Sequence, residues 1–89
     1  MNNILSERDT KAVLDILVEQ LGVPENQLTP DASLEQDLSA DSLTQTEIVL
    51  AVEDHFGLSV PDDQLEKIST VGDLFEAIAE QLANRRPAR

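Results

Sequence analysis

The chain has 89 residues, 18 of them acidic and only 6 basic, for a net charge of −12 with histidine neutral. That length holds one small core, and a 40% hydrophobic content is enough to build it and too regular for a disordered acidic tail. The charge argues against nucleic acid and anionic membrane as partners; the absence of cysteine excludes disulfides, thiolate metal sites and a cysteine nucleophile.

The N-terminal stretch Met1-Asn2-Asn3-Ile4-Leu5-Ser6 has neither the basic nor the apolar region of a secretion signal. Apolar runs fall far short of the roughly 20 residues a membrane helix needs, so no membrane insertion and a cytoplasmic location are expected. The first helix is predicted from about Glu7 to Leu21, with Ser6 and Asp9 spaced like a capping box. Val13, Ile16, Leu17 and Leu21 form its apolar stripe. Gly22 and Pro24 end it.

Residues 23–40 have no sustained period and read as one long loop. Loops beyond about 12–15 residues are uncommon and often functional. Leu28, Leu34 and Leu38 are expected to pin this one to the core. A second helix should run from Ser42 to Phe56, capped by Asp41 and stopped by Gly57. A short third helix is expected over Asp62–Lys67. The last begins near Val71, with Thr70 and Asp73 at capping-box spacing and Val71, Leu74, Phe75, Ile78, Ala79 and Leu82 as its stripe. Asn84 to Arg89 reads as an unstructured basic tail. The expected fold is all-α, a small four-helix bundle of three main helices and one short one. It forms a single domain over 1–89 with its core within 7–82, and a monomer is expected.

The second helix carries two stripes. With Ile48 at 0° and about 100° per residue, Val52, Phe56 and Val49 fall at about 40°, 80° and 100°. Leu50, Leu43, Asp54 and Glu47 fall opposite, at about 200°, 220°, 240° and 260°. Two leucines interleaved with two acids form either a docking ridge or a surface covered by the long loop; the acids resist burial. No Lys or Arg stands between Lys11 and Lys67, so the acids from Asp31 to Glu66 make an uncompensated field. Such a field serves solubility, or steers the chain toward Lys/Arg patches on partners.

Ser42 follows the Asp41 cap where the loop enters the helix. A helix start tolerates an attached phosphate, yet position alone favours an ordinary first-turn serine. Its surroundings decide. Leu38-Ser39-Ala40-Asp41-Ser42-Leu43 closely resembles the Asp-Ser-Leu attachment motif of acyl carrier proteins. The likeness runs from about Glu7 to Leu82. It takes in Leu21-Gly22-Val23, Leu34-Glu35-Gln36-Asp37-Leu38, Glu47-Ile48-Val49, Glu53-Asp54-His55-Phe56, Val60-Pro61-Asp62-Asp63 and Ile68-Ser69-Thr70-Val71.

The resemblance implies a 4′-phosphopantetheine arm on Ser42, delivered from coenzyme A by a phosphopantetheinyl transferase and carrying cargo as a thioester. It implies that Asp41 assists the transferase, and that Leu43, Glu47, Leu50, Glu53 and Asp54 form a partner-recognition helix. The partners so implied are enzymes with basic docking patches that load, elongate or transfer acyl groups in fatty-acid, lipid or polyketide biosynthesis. A dedicated aminoacyl or peptidyl carrier, or an unmodified acidic interaction module, are the alternatives. Nothing in the resemblance calls for a catalytic or metal-binding residue. An EF-hand beginning at Asp31 fails, with Gln36 where glycine is needed and Ser42 where glutamate is needed. Three departures stand out: Ser39 where many members have glycine, Thr46 where fatty-acid carriers have an apolar residue, and the arginine-rich tail.

Overall fold

In the computed structural model, residues 5–84 are described. The main elements are α1 (Glu7–Leu21), α2 (Ser42–Phe56), α3 (Asp62–Leu65) and α4 (Val71–Asn84), with a short 3₁₀ turn at Glu25–Gln27. Local chemistry sets the ends of α1 and α2. The Ser6 hydroxyl accepts the Asp9 N–H at 3.1 Å, satisfying an orphan donor at the start of α1. Gly22 and Gly57 close the two helices in the left-handed conformation, φ 68° and 67°. Their N–H groups reach back to the carbonyls of Val18 and Glu53, each at 2.8 Å.

Helix α3 is shorter than the pattern Asp62–Lys67 predicts. Its regular part stops at Leu65. Lys67 and Ile68 then donate to the carbonyls of Gln64 and Leu65, bonds one residue shorter than the α-helical spacing. Asn84, assigned from sequence to the tail, is the last residue of α4; Arg85 to Arg89 lie outside the described residues. Among the described residues no helix is long and apolar enough to cross a membrane.

The core is apolar throughout. Val13 and Leu17 of α1, Ile48 and Val52 of α2, and Leu74 and Ile78 of α4 are fully buried. Ile16, Phe56 and Leu82, expected with them, are only half-buried and pack on the cluster from outside. The long loop is part of this core. Leu28, Leu34 and Leu38 are buried as expected, and Ala32 and Ala40 join them. The loop also closes the start of α4: the N–H groups of Val71 and Gly72 donate to the carbonyls of Ala32 and Pro30, each at 3.0 Å. A Cβ on Gly72 would lie 3.0 Å from the Pro30 oxygen, so glycine permits this approach. The Leu34 N–H adds a bond to the Ser69 carbonyl at 2.9 Å. The loop is thereby anchored before it turns toward Ser42.

Candidate functional site

The approach to α2 is a sequence of fixed backbone bonds. The Ser33 hydroxyl accepts from the Gln36 N–H at 3.1 Å, and the Asp37 carboxylate accepts from the Ser33 N–H at 2.8 Å. Ser39 follows in the left-handed region at φ 60°, and is the non-glycine residue with positive φ among those described. Ala40 is buried, and its N–H donates to the Leu34 carbonyl at 2.7 Å. Asp41 is extended, as an N-cap should be, and its carboxylate accepts the Thr44 N–H at 2.8 Å. The Thr44 N–H is the largest of the effects that hold the Asp41 carboxyl below its ordinary range; the Thr44 hydroxyl and the N–H groups of Asp41 and Leu43 add to it.

Ser42 is therefore the first helical residue, exposed, and preceded by an ionised cap. A cleft of about 460 Å³ opens beside it between α2 and α3. Leu34, Ile48 and Leu74 lie at its buried end, with Val49, Leu65 and Ile68 along the walls. Half-buried Gln45 also lines it, and Thr46 and Glu66 line its more accessible part.

The outward face of α2 is as the helical wheel places it. Leu43 is 66% exposed and Leu50 is 56% exposed, and Glu47 and Asp54 are exposed beside them. The long loop packs elsewhere, so it does not cover these leucines. Glu53 differs from its neighbours. It is half-buried, and one carboxylate oxygen accepts the Val60 N–H at 2.7 Å, holding the α2–α3 connection. His55 is exposed and meets the edge of Phe56 with ring centroids 4.8 Å apart.

Sequence reasoning passed over two polar residues. Gln45 donates its side-chain amide to the Ala40 carbonyl at 2.9 Å. Gln64 of α3 donates to Glu80 and accepts from Gln81, both at 2.8 Å, tying α3 to α4. None of these three bonds has a signature in hydrophobic spacing: those of Gln64 join helices 16 and 17 residues apart, and that of Gln45 is a local reach from side chain to backbone.

Two comparisons bear on this arrangement. Residues 11–78 match the family model described as a phosphopantetheine attachment site. The solved structure of the acyl carrier protein from Enterococcus faecalis, a protein of high thermal stability, is 32% identical, with a TM-score of 0.72. That match covers 91% of this chain and 99% of the Enterococcus chain.

Proposed function

The chain belongs to the acyl carrier proteins, the family built around a phosphopantetheine attachment site, and on that premise we propose that Ser42 is the residue that takes the arm. The observation that carries this reading is the exposed Ser42 hydroxyl at the first position of α2, next to a capped aspartate and beside an apolar cleft. These residues fit a phosphodiester. The helix start favours negative charge, and the Thr44 N–H already neutralises part of the Asp41 carboxylate.

The chain's own part in attachment is to hold the Ser42 Oγ in solvent as the nucleophile. The bond formed is Oγ to phosphorus; the bond broken is the phosphoanhydride of coenzyme A, whose adenosine bisphosphate leaves. The hydroxyl proton passes to a base of the transferase. Asp41, ionised and exposed, would be free to present its carboxylate to a metal ion of the transferase. When bound, 4′-phosphopantetheine supplies a terminal thiol for thioester cargo, a group this cysteine-free chain lacks.

The outward face of α2 is the docking surface in this reading. Leu43 and Leu50 supply apolar contact, and Glu47 and Asp54 supply charge toward basic patches on the transferase and on acyl-loading, elongating and transferring enzymes. Glu53 contributes its second carboxylate oxygen and keeps the adjoining connection in place. The cargo is an acyl chain of fatty-acid, lipid or polyketide biosynthesis. The aliphatic cleft supports a medium-length chain folding in between α2 and α3, so thioester hydrolysis should be slower than for free acyl-pantetheine. Equal rates with unchanged core NMR shifts would favour a short or polar cargo.

The test is intact mass after incubation with coenzyme A and a phosphopantetheinyl transferase. The wild-type chain should gain one arm, and Ser42→Ala should gain none while keeping its helical circular dichroism. Retention of the gain in Ser42→Ala, or its location on Ser6, Ser33, Ser39, Ser59 or Ser69, overturns the assignment.

A further inference from the structure

The two peptide carbonyls preceding Ser42 are both held by one residue. The backbone N–H of Gln45 donates to the Asp41 carbonyl at 2.9 Å, the first bond of α2. Its side-chain amide reaches further back and donates to the Ala40 carbonyl at 2.9 Å. The opposite edge of Ala40 is held as well, through its N–H to Leu34 at 2.7 Å. Immediately before this doubly held residue stands Ser39 at φ 60°, an uncommon and costly conformation for a residue with a Cβ.

From this geometry we infer that Gln45 is a positioning residue for Ser42: its side-chain amide clamps Ala40 and thereby keeps the Ser39 corner left-handed and the attachment hydroxyl in a fixed place. The inference rests on Ser42 being the attachment residue, but the clamp itself is a property of the unmodified chain. Without the amide donor, the partly buried Ala40 carbonyl loses its partner, and the strain at Ser39 has less to oppose it. The corner then relaxes toward ordinary φ, and the Ala40–Asp41–Ser42 backbone samples several positions. A nucleophile spread over several positions reacts more slowly even when the partner docks as before. Gln45 lies away from the exposed ridge, so turnover and docking are separable.

The experiment uses the full chain and two substitutions that suit a helix. Gln45→Met keeps length and removes the donor. Gln45→Glu keeps size and, ionised at neutral pH, presents only acceptors to the Ala40 carbonyl. Each is measured alone and combined with Ser39→Gly, which supports a left-handed corner without strain.

The kcat of phosphopantetheinylation should fall about two- to tenfold in either Gln45 variant, the factor that one net hydrogen bond carries, with KM for the carrier within about twofold. Amide exchange of Ala40 in the unmodified protein should accelerate by a similar factor. Ser39→Gly should restore most of the turnover in the Gln45→Met background and change little by itself. Wild-type kcat and wild-type exchange in both Gln45 variants overturn the clamp. So does a loss confined to KM, or a failure of Ser39→Gly to restore turnover. If the wild-type chain itself gains no arm at Ser42, the attachment reading fails, and Ala40 exchange still decides the clamp.

Discussion

Helices α2 and α4 differ by one residue in length and begin with the same device, a hydroxyl- or carboxylate-bearing cap. Their starts are nonetheless opposite in kind. At α4 the capping box is reciprocal: the Asp73 N–H donates to the Thr70 hydroxyl at 3.1 Å, and the Asp73 carboxylate accepts the Thr70 N–H at 3.2 Å. The same carboxylate also accepts from the Ser69 N–H and hydroxyl, and the loop carbonyls of Ala32 and Pro30 take the next two helix donors. At α2 the Asp41 carboxylate accepts the Thr44 N–H, and Ser42 stays exposed. The sides of the helices repeat the contrast. Val71, Leu74, Ala77 and Ile78 of α4 are buried, whereas α2 buries Ile48 and Val52 and leaves Leu43 and Leu50 in solvent. One helix is closed for structure, and the other is left open at its start and along one side.

After the total loss of modification expected of Ser42→Ala, the largest effect should come from the inner side of α2. Ile48→Ala removes a fully buried side chain between helices and should cost about 2–5 kcal/mol, the range for such truncations. Leu50→Ala, on the open side, should change stability by no more than about 0.5 kcal/mol. Urea titration followed by circular dichroism measures both. Comparable losses would mean that the outward leucine is packed in solution and that the two sides of α2 do not differ.

The next effect separates docking from folding. Glu47→Lys with Asp54→Lys reverses exposed charge, so the melting temperature should stay near wild type or rise slightly as acidic repulsion is relieved. Modification of Ser42 should slow by about tenfold or more at low salt, through weaker association. The deficit should shrink as salt rises, because screening acts over roughly 8–10 Å near physiological ionic strength. Leu50→Ala should also slow modification, with less dependence on salt. A wild-type rate for the double reversal at low salt would remove the ridge from transferase docking; unfolding would show that the stripe is buried.

The same contrast explains what could be read from the sequence. The bounds of α1 and α2 were legible because Ser6, Asp41, Gly22 and Gly57 encode caps within a few residues of the helices they end. The outward leucines were legible because a helix fixes side-chain direction by spacing alone. The closed start of α4 was legible only in part. Thr70 and Asp73 mark it, but the bonds from Val71 and Gly72 to Ala32 and Pro30 join segments about forty residues apart, and backbone pairing of that kind leaves no period. The burial of Ala32 and Ala40 was hidden for the same reason; the amide of Gln45 reaches Ala40 across only five residues, but a side-chain-to-backbone bond leaves no hydrophobic period either. Ser39 showed itself as a departure from the motif, while its left-handed backbone required the fold.

The smallest expected effect concerns acid, and it compares the two caps directly. Both carboxyls lie below their ordinary range: Asp73 chiefly through the Ser69 N–H and then the Thr70 N–H, Asp41 chiefly through the Thr44 N–H. A carboxyl lowered in the folded chain adds stability that is fully present above its unfolded value of about 3.9 and is lost as pH falls through the folded value. Asp73→Asn and Asp41→Asn should therefore melt below wild type at pH 7, and each gap should narrow as pH falls below about 4. The Asp73 gap should be the wider, since its carboxylate gathers donors from Ser69 and Thr70 while that of Asp41 takes chiefly Thr44. Comparing each variant with wild type at the same pH removes the acidic repulsion common to both chains; the missing carboxylate's own share of it favours each variant at pH 7 and works against the expected gap. Thermal melts from pH 3 to pH 7 supply the measurement. A gap that stays constant across that range would assign the caps to shape rather than charge. A wider gap for Asp41 than for Asp73 would reverse the distinction between the open and the closed helix start.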